Sequence, residues 1–404
     1  MRRTNLSKPN TTVEKQQDTS KEVWHAIRAL LIITCILTSF GLTMLYSVSY
    51  GTAGLKYFSV QLIAITAGLA GGVAVFALGY KEIVSKSFIW MALAFVLLMI
   101  TCLFFKPING AARWIRIGAF SVQPSEFAKI AVAIFVAKYC SENVRTFSLL
   151  AHKKGLFPLL GGIALILGGV LCGEDLGTTV LIAATACCTT FAAGLYLRSL
   201  LIPGALGGLA ATYVFLFDNV RKARIVSFMN PEAVQQGSGY QLLNSLWALG
   251  AGNWLGTGFM TSKFKHKSLP ESHTDFILAI VGEELGFVAM LAVILLYVLY
   301  GYYALKIALR ANNRLGMLLG VALTFGITLQ AAINLTVVSG SAPTKGMPAP
   351  FISYGGSNLI ASLLATALIV SIGYDAITPG YAEPLASKLP WNRKKKKLNN
   401  SGRK

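Results

Sequence analysis

Charge is what this chain has least of. Charged residues fill 13% of its 404 positions, only 16 of them acidic, while 54% are hydrophobic. That composition excludes a soluble multi-domain protein of this length. Histidine is rarer still, at 4, and no Cys/His spacing suits a zinc site. The six cysteines (Cys35, Cys102, Cys140, Cys172, Cys187 and Cys188) all lie in or at the ends of apolar segments. With no pair in a loop, they read as small packing or lipid-facing residues. Residues 250–258 are rich in glycine but have no Lys-Ser/Thr ending and no following strand-helix unit, which removes a nucleotide-binding reading. No cleavable leader is expected either, since about 25 polar residues precede the first apolar run and no small-residue cleavage site follows it closely. That run is expected to stay as a membrane helix.

What the chain has is apolar blocks of the length that crosses a ~30 Å hydrocarbon layer as a helix. They fall near residues 26–47, 57–79, 87–105, 124–140, 156–172, 177–195, 199–217, 275–300, 315–340 and 356–375. The expected fold is therefore all-α, a polytopic membrane protein of about ten spans with both termini on one side. Residues 1–25 and 376–404 read as polar tails around a membrane domain over 26–375. Of 36 Lys+Arg, 24 fall on the side that carries the termini, which places that side in the cytoplasm. The net charge of +20 then needs no nucleic acid: the basic run 393–397 suits anionic lipid. One loop is much longer than the rest, at residues 218–274 on the outer side, and its tryptophans and leucines argue against disorder. Within it Leu242, Leu243, Leu246, Trp247 and Leu249 recur at helical spacing, which predicts a short amphipathic helix.

Charges inside or at the rim of a membrane are costly, so each is a functional candidate. Four outer stretches carry them. NGAARWIR at 109–116 leads to QPSEFAK at 123–129, where Pro124 suits the first position of a helix. Glu126 and Lys129 share one face there, as an ion pair or as part of a site. Arg113 and Arg116 beside Trp114 are either interfacial anchors or contacts to an anionic headgroup. EDLGT follows at 174–178, where Asp175 is placed to cap a helix. LPESHTDF at 269–276 ends the long loop, with Thr274 or Asp275 as an expected cap, and GEELG follows at 282–286. On a helical wheel Gly282 and Gly286 lie on the face of Asp275, which suggests a small-residue groove below that carboxylate. PTKGMPAPFISYGGS at 343–357 holds three prolines and cannot be a regular helix, so it must line a polar cavity or be buried in protein. Together these stretches describe an outward-facing site with cations for phosphate and carboxylates for acid/base work. An amphiphile with an anionic head fits it, whether for catalysis or for transport.

At these stretches the sequence resembles the SEDS family (shape, elongation, division and sporulation), and within it the FtsW branch, over residues 26–375. NGAARWI with QPSEFAK, EDLGT, LPESHTDFILAIVGEELG and PTKGMPAPFISYGGSNL carry the resemblance. Thr344-Lys345 and Gly282-Glu283-Glu284 favour that branch over the RodA branch. The resemblance implies a peptidoglycan glycosyltransferase of the bacterial cytoplasmic (inner) membrane, acting at the division septum. Such an enzyme polymerises lipid II into β-1,4 glycan strands beside a class B penicillin-binding protein and other division proteins. It further implies Asp275 as the catalytic base and Arg113, Lys129 and Lys345 as contacts to pyrophosphate. Glu126, Asp175, Glu271 and Ser353 become supporting substrate contacts, the three carboxylates also being possible ligands of a divalent cation such as Mg. A lipid II flippase, an elongation-type polymerase and a scaffold for the transpeptidase are the rival readings. The loop ahead of LPESHTDF departs from the family pattern: Lys263, Lys265 and Lys267 make it basic, and Ser268 stands where an aromatic is common.

Overall fold

The computed structural model describes residues 11–50, 54–105, 112–117, 120–143, 155–195, 224, 227–229, 238–265 and 269–382. The expected span at 199–217, the motif residues 109–111 and Lys267 and Ser268 in the basic loop lie outside them, as do residues 1–10 and 383–404 of the two tails.

Helix α1 (Thr11–Tyr50) begins well ahead of the apolar block at 26, so much of the expected N-terminal tail is helical. It is followed by α2 (Lys56–Leu78), the short α3 (Tyr80–Ser85) and α4 (Ser87–Phe104). A two-stranded hairpin, β1 (Ile115–Ile117) and β2 (Phe120–Val122), pairs Ile115 with Val122 and leads into α5 (Pro124–Asn143), which starts at the predicted proline. Then come α6 (Leu156–Cys172), α7 (Leu176–Ala192), α8 (Ser238–Gly252), α9 (Ile277–Leu309), α10 (Arg314–Val338) and α11 (Gly356–Ile377). Among the described residues six helices are long and apolar enough to cross a membrane, and α6 and α7 are shorter apolar helices. The chain is a multi-pass membrane protein.

The helices close on one another where side chains are small. Gly68, Gly71 and Gly72 of α2 lie against Leu363, Leu364 and Ala367 of α11, the close approach by which membrane helices associate without a hydrophobic drive between them. Apolar residues such as Leu69, Val73, Phe88, Leu103, Leu291 and Val298 are exposed and suit contact with acyl chains. At the end of the bundle opposite the site described below, Asp375 is buried and bound to Lys81 (2.9 Å) and Tyr80 Oη (3.2 Å).

Helix α9 is not the uninterrupted span the apolar pattern suggests. Gly286 sits at φ 78° and ψ −175° and breaks it, a conformation that glycine alone adopts freely. The break is filled by the turn after α8. Thr257 and Gly258 donate their N–H groups to the carbonyls of Glu283 (2.9 Å) and Glu284 (3.0 Å), while Phe287 and Val288 donate to Asn253 (2.9 Å) and Trp254 (3.2 Å). Two carbonyls and two N–H groups freed by the break are thus satisfied, as a break inside a membrane protein requires. The small-residue face of α9 is therefore no groove below Asp275: Leu249 and Gly252 of α8 cover Gly282, and Trp254 and Gly256 cover Gly286.

The two glutamates beside the break serve this plug. Glu284 pairs with Lys265 (2.8 Å) and accepts from Ser47 of α1 (2.7 and 2.8 Å) and from the N–H groups of Met260 (3.0 Å) and Ser262 (3.3 Å). Glu283 accepts from Ser262 Oγ and from the Lys263 N–H (2.7 Å). Lys265, which looked like part of a basic surface, is a buried tie between loop and bundle. The amphipathic helix is present as α8, with Leu242, Leu243 and Ala248 buried and Trp247 exposed. Cys102 and Cys172, read above as packing residues, form a disulfide. They end α4 and α6, which rise side by side to the same end of the bundle, a proximity that 70 residues of separation conceal. Cys35, Cys140, Cys187 and Cys188 are free thiols.

Candidate functional site

At the end of the bundle that holds the disulfide, a cavity of about 1030 Å³ opens between the hairpin, the turn before α9 and the loop before α11. It is lined by the cations Arg113, Arg116, Arg224 and Lys345, by the carboxylates Glu126, Glu271 and Asp275, and by the apolar Val60, Ile63, Ala67 and Ile360. Ile63 of α2, part of this apolar wall, is half exposed.

Asp275 sits in a tight turn. Glu271 adopts φ 56°, and the N–H groups of Thr274 (3.2 Å) and Phe276 (3.3 Å) donate back to its carbonyl. The cap of α9 is Phe276, with no side-chain hydrogen bond, so neither Thr274 nor Asp275 is spent on capping. Thr274 Oγ1 donates to Glu271 Oε2 (2.9 Å), and Asp275 lines the cavity. Burial, then the nearby Glu271, push the Asp275 carboxyl up to about 7, against the pull of Arg113. His273 of the same turn stacks on Tyr57 at 4.4 Å, and its carbonyl accepts from the Tyr354 N–H (2.9 Å), which ties the turn to the SYGG loop. Burial holds the His273 imidazole below its ordinary value, opposed by Glu271.

The proline-rich loop packs directly on this turn. A Cβ at Gly346 would stand 2.8 Å from Asp275 Oδ2, so glycine is what lets the backbone meet the carboxylate. Lys345 lies over Gly177 at the start of α7, where a Cβ would be 2.9 Å from its Cε. Burial lowers the Lys345 ammonium from its usual value, opposed by the carboxylate of Asp175. Arg113 donates to the Glu174 carbonyl (2.6 Å) and stands 3.9 Å from Asp175.

Five of the eight site residues expected from the sequence thus line the cavity: Asp275, Glu271, Arg113, Lys345 and Glu126. The other three, Asp175, Lys129 and Ser353, stand behind its lining. Asp175 caps α7 through the Thr178 N–H (3.2 Å) and accepts from Gln123 and Ser125 (3.1 Å each). Glu126 reaches the cavity, but it is bound to Lys129 (2.7 Å) and Asn358 (2.8 Å). Lys129 is not placed as a pyrophosphate contact: its ammonium is held by Glu126 and Gln330 (2.6 Å). Ser353 is buried, and its hydroxyl accepts from the Ala349 N–H (2.8 Å) within the loop instead of facing the cavity. With these commitments Glu126, Asp175 and Glu271 do not form a cation shell, and among the described residues no group of three or more His, Cys, Asp or Glu is placed to hold a metal.

Sequence reasoning missed Arg224, which lines the cavity from the long loop. It also missed four amides: Gln61 and Gln330 brace the loop before α11, Asn334 binds both that loop and the Asp275 turn, and Asn358 holds Glu126. The available signal was that each lies in an apolar span, where an amide must find a partner.

A family model described as "Cell cycle protein", covering FtsW, RodA and SpoVE, matches residues 28–376. A probable peptidoglycan glycosyltransferase FtsW of Trichlorobacter lovleyi is 34% identical over 85% of this chain and 92% of its own length. Stage V sporulation protein E of Bacillus subtilis is 34% identical over 85% of this chain and 95% of its own. Among solved structures, a chain from a peptidoglycan synthase complex that polymerises and crosslinks superposes with a TM-score of 0.73 at 23% identity, covering 86% of this chain and 97% of its own. The rod shape determining protein RodA of Thermus thermophilus gives 0.64 at 22% identity over 86% and 96%. At those identities the two structures speak for the fold alone. With the family model spanning nearly the whole membrane portion, this chain belongs to the FtsW/RodA/SpoVE family.

Proposed function

We propose that this chain is a peptidoglycan glycosyltransferase that joins lipid II units into β-1,4 glycan strands during septal wall synthesis. The observation that carries the reading is that one cavity brings Asp275 together with four cations and with apolar residues of α2 and α11. That combination suits a substrate with a sugar to deprotonate, a pyrophosphate to neutralise and a prenyl tail left in the bilayer.

In this reading Asp275 takes the proton from the 4-hydroxyl of the acceptor sugar as its oxygen attacks the anomeric carbon of the donor. The bond from that carbon to pyrophosphate breaks, its electron pair leaves on the phosphate oxygen, and the α configuration inverts to β. Lys345 and Arg113, with Arg116 and Arg224, stabilise the charge that grows on the leaving group. A carboxyl raised to about 7 by burial is a stronger base than an ordinary carboxylate and suits proton transfer near neutral pH.

The site faces outward and both termini face the cytoplasm. The placement of basic residues supports this orientation, and so does the disulfide at the site end, because such bonds persist in oxidising compartments. A class B penicillin-binding protein is the proposed partner, consistent with the synthase complex that shares the fold. The test is purified protein with its cognate transpeptidase in liposomes given labelled lipid II. Glycan strands that lengthen with time support the polymerase. Translocation of the headgroup with no strands formed would replace this reading with a flippase.

A further inference from the structure

Helix α10 sends two amides, one turn apart, into the proline-rich loop. Asn334 Nδ2 donates to the main-chain carbonyls of both Asp275 (2.8 Å) and Met347 (2.7 Å). Gln330 donates to the carbonyl of Pro348 (2.9 Å) and accepts from Lys129 (2.6 Å). Both side chains are buried, Asn334 at 1% exposure and Gln330 at 3%. The loop needs such donors, because Pro343, Pro348 and Pro350 cannot contribute N–H groups to its own carbonyls.

We propose that Asn334 is a positioning residue which, by gripping the Asp275 and Met347 carbonyls with one amide, fixes the catalytic carboxylate against the loop that carries Lys345. The inference rests on the reading of Asp275 as base and Lys345 as a leaving-group contact. Two independent segments, the turn before α9 and the loop before α11, must be held in register for those side chains to act on one substrate. Asn334 is the side chain that binds both backbones. The tolerance is narrow because even a Cβ at Gly346 would stand 2.8 Å from Asp275 Oδ2, so a loop that slides moves across Asp275 itself. A misplacement of about 1 Å at a reacting group can cost on the order of 10²-fold in rate.

A role limited to satisfying two carbonyls would change stability and leave the chemistry alone, and the two roles separate by kinetics. Asp275 feels Glu271 of its own turn, Arg113 ahead of the hairpin, Asp175 at α7 and Arg224, and it shares the cavity with Lys345; α10 brings no charge to it through Asn334. Asn334→Asp keeps the size of the side chain but, buried opposite two carbonyl oxygens, is held neutral, with one O–H in place of the two N–H donors. The experiment is steady-state polymerisation of lipid II by the full chain with its transpeptidase, across pH, for Asn334→Ala, Asn334→Asp and Asp275→Asn, with thermal unfolding followed in parallel.

Asn334→Ala is expected to lower kcat on the order of 10²-fold with KM changed by less than about threefold and the folded fraction intact. Asn334→Asp, left with one donor for two carbonyls, is expected to lower kcat as well, by less than Asn334→Ala does. Wild-type kcat in a folded Asn334→Ala, alongside an inactive Asp275→Asn, would overturn the positioning role alone. An active Asp275→Asn would overturn the underlying reading as well. Should Asn334→Ala fail to fold, Asn334→Asp decides in its place, and wild-type kcat in a folded Asn334→Asp overturns the proposal.

Discussion

Replacing Lys265 with methionine keeps most of the side chain's apolar stem and removes its charge from a place where charge has no access to water. The Lys265 side chain is 2% exposed and that of Glu284 0%, with 2.8 Å between nitrogen and oxygen. Breaking a buried pair by removing one partner typically costs 3–5 kcal/mol, because the remaining charge is left uncompensated. Glu284 would still accept from Ser47 and from the Met260 and Ser262 N–H groups. Against that, the Met260 carbonyl would lose the lysine that donates to it at 2.8 Å. The retained donors put the expected loss near the low end, about 3 kcal/mol. Reversible unfolding in bicelles is the assay, and Glu284→Gln in the methionine background should recover most of the loss, because the orphaned charge is then gone. A Lys265→Met protein within about 0.5 kcal/mol of the parent, or a double variant no better than the single, would refute the buried tie.

The polymerisation rate should fall as pH drops through about 7, since the base works only when ionised and its carboxyl is raised to about that value. Glu271→Gln removes one cause of that rise and should move the acid limb to lower pH, as rates measured across pH would show. Gly346→Ala places a methyl 2.8 Å from Asp275 Oδ2, so activity should fall on the order of tenfold or more with little change in the thermal unfolding midpoint. Cys102→Ser unlinks α4 from α6 and should destabilise the site end by roughly 1–4 kcal/mol. Mass spectrometry of the untreated protein should find the bond formed, and a reductant should lower the unfolding midpoint of the parent but not of the variant.

The spans were legible because hydrocarbon demands uniform apolar stretches of fixed length, and that signal needs no tertiary information. The same uniformity hid the break at Gly286. Apolar residues continue on both sides of it, and only the turn from Asn253 to Gly258, more than two dozen positions away, satisfies its freed groups. Asp175 and the Glu126–Lys129 pair were legible as local structure, since a cap and a three-residue spacing depend on neighbours in sequence. Local spacing could not show that Lys129 is held away from the cavity by Gln330, or that Lys265 is buried, because both partners come from distant helices. Asn334 escaped notice for a related reason: a single amide in an apolar run says that a partner exists without saying which. The disulfide joins two helices whose adjacency only the packed bundle establishes.

The claim that Asp275 is the base is tested most directly by Asp275→Asn, which keeps the shape of the side chain and removes its ability to take a proton. Initial rates of lipid II polymerisation by the purified protein with its transpeptidase should fall by about 10²–10⁴-fold, while lipid II binding and the unfolding midpoint stay close to those of the parent. An asparagine variant that polymerises within about twofold of the parent would contradict the account.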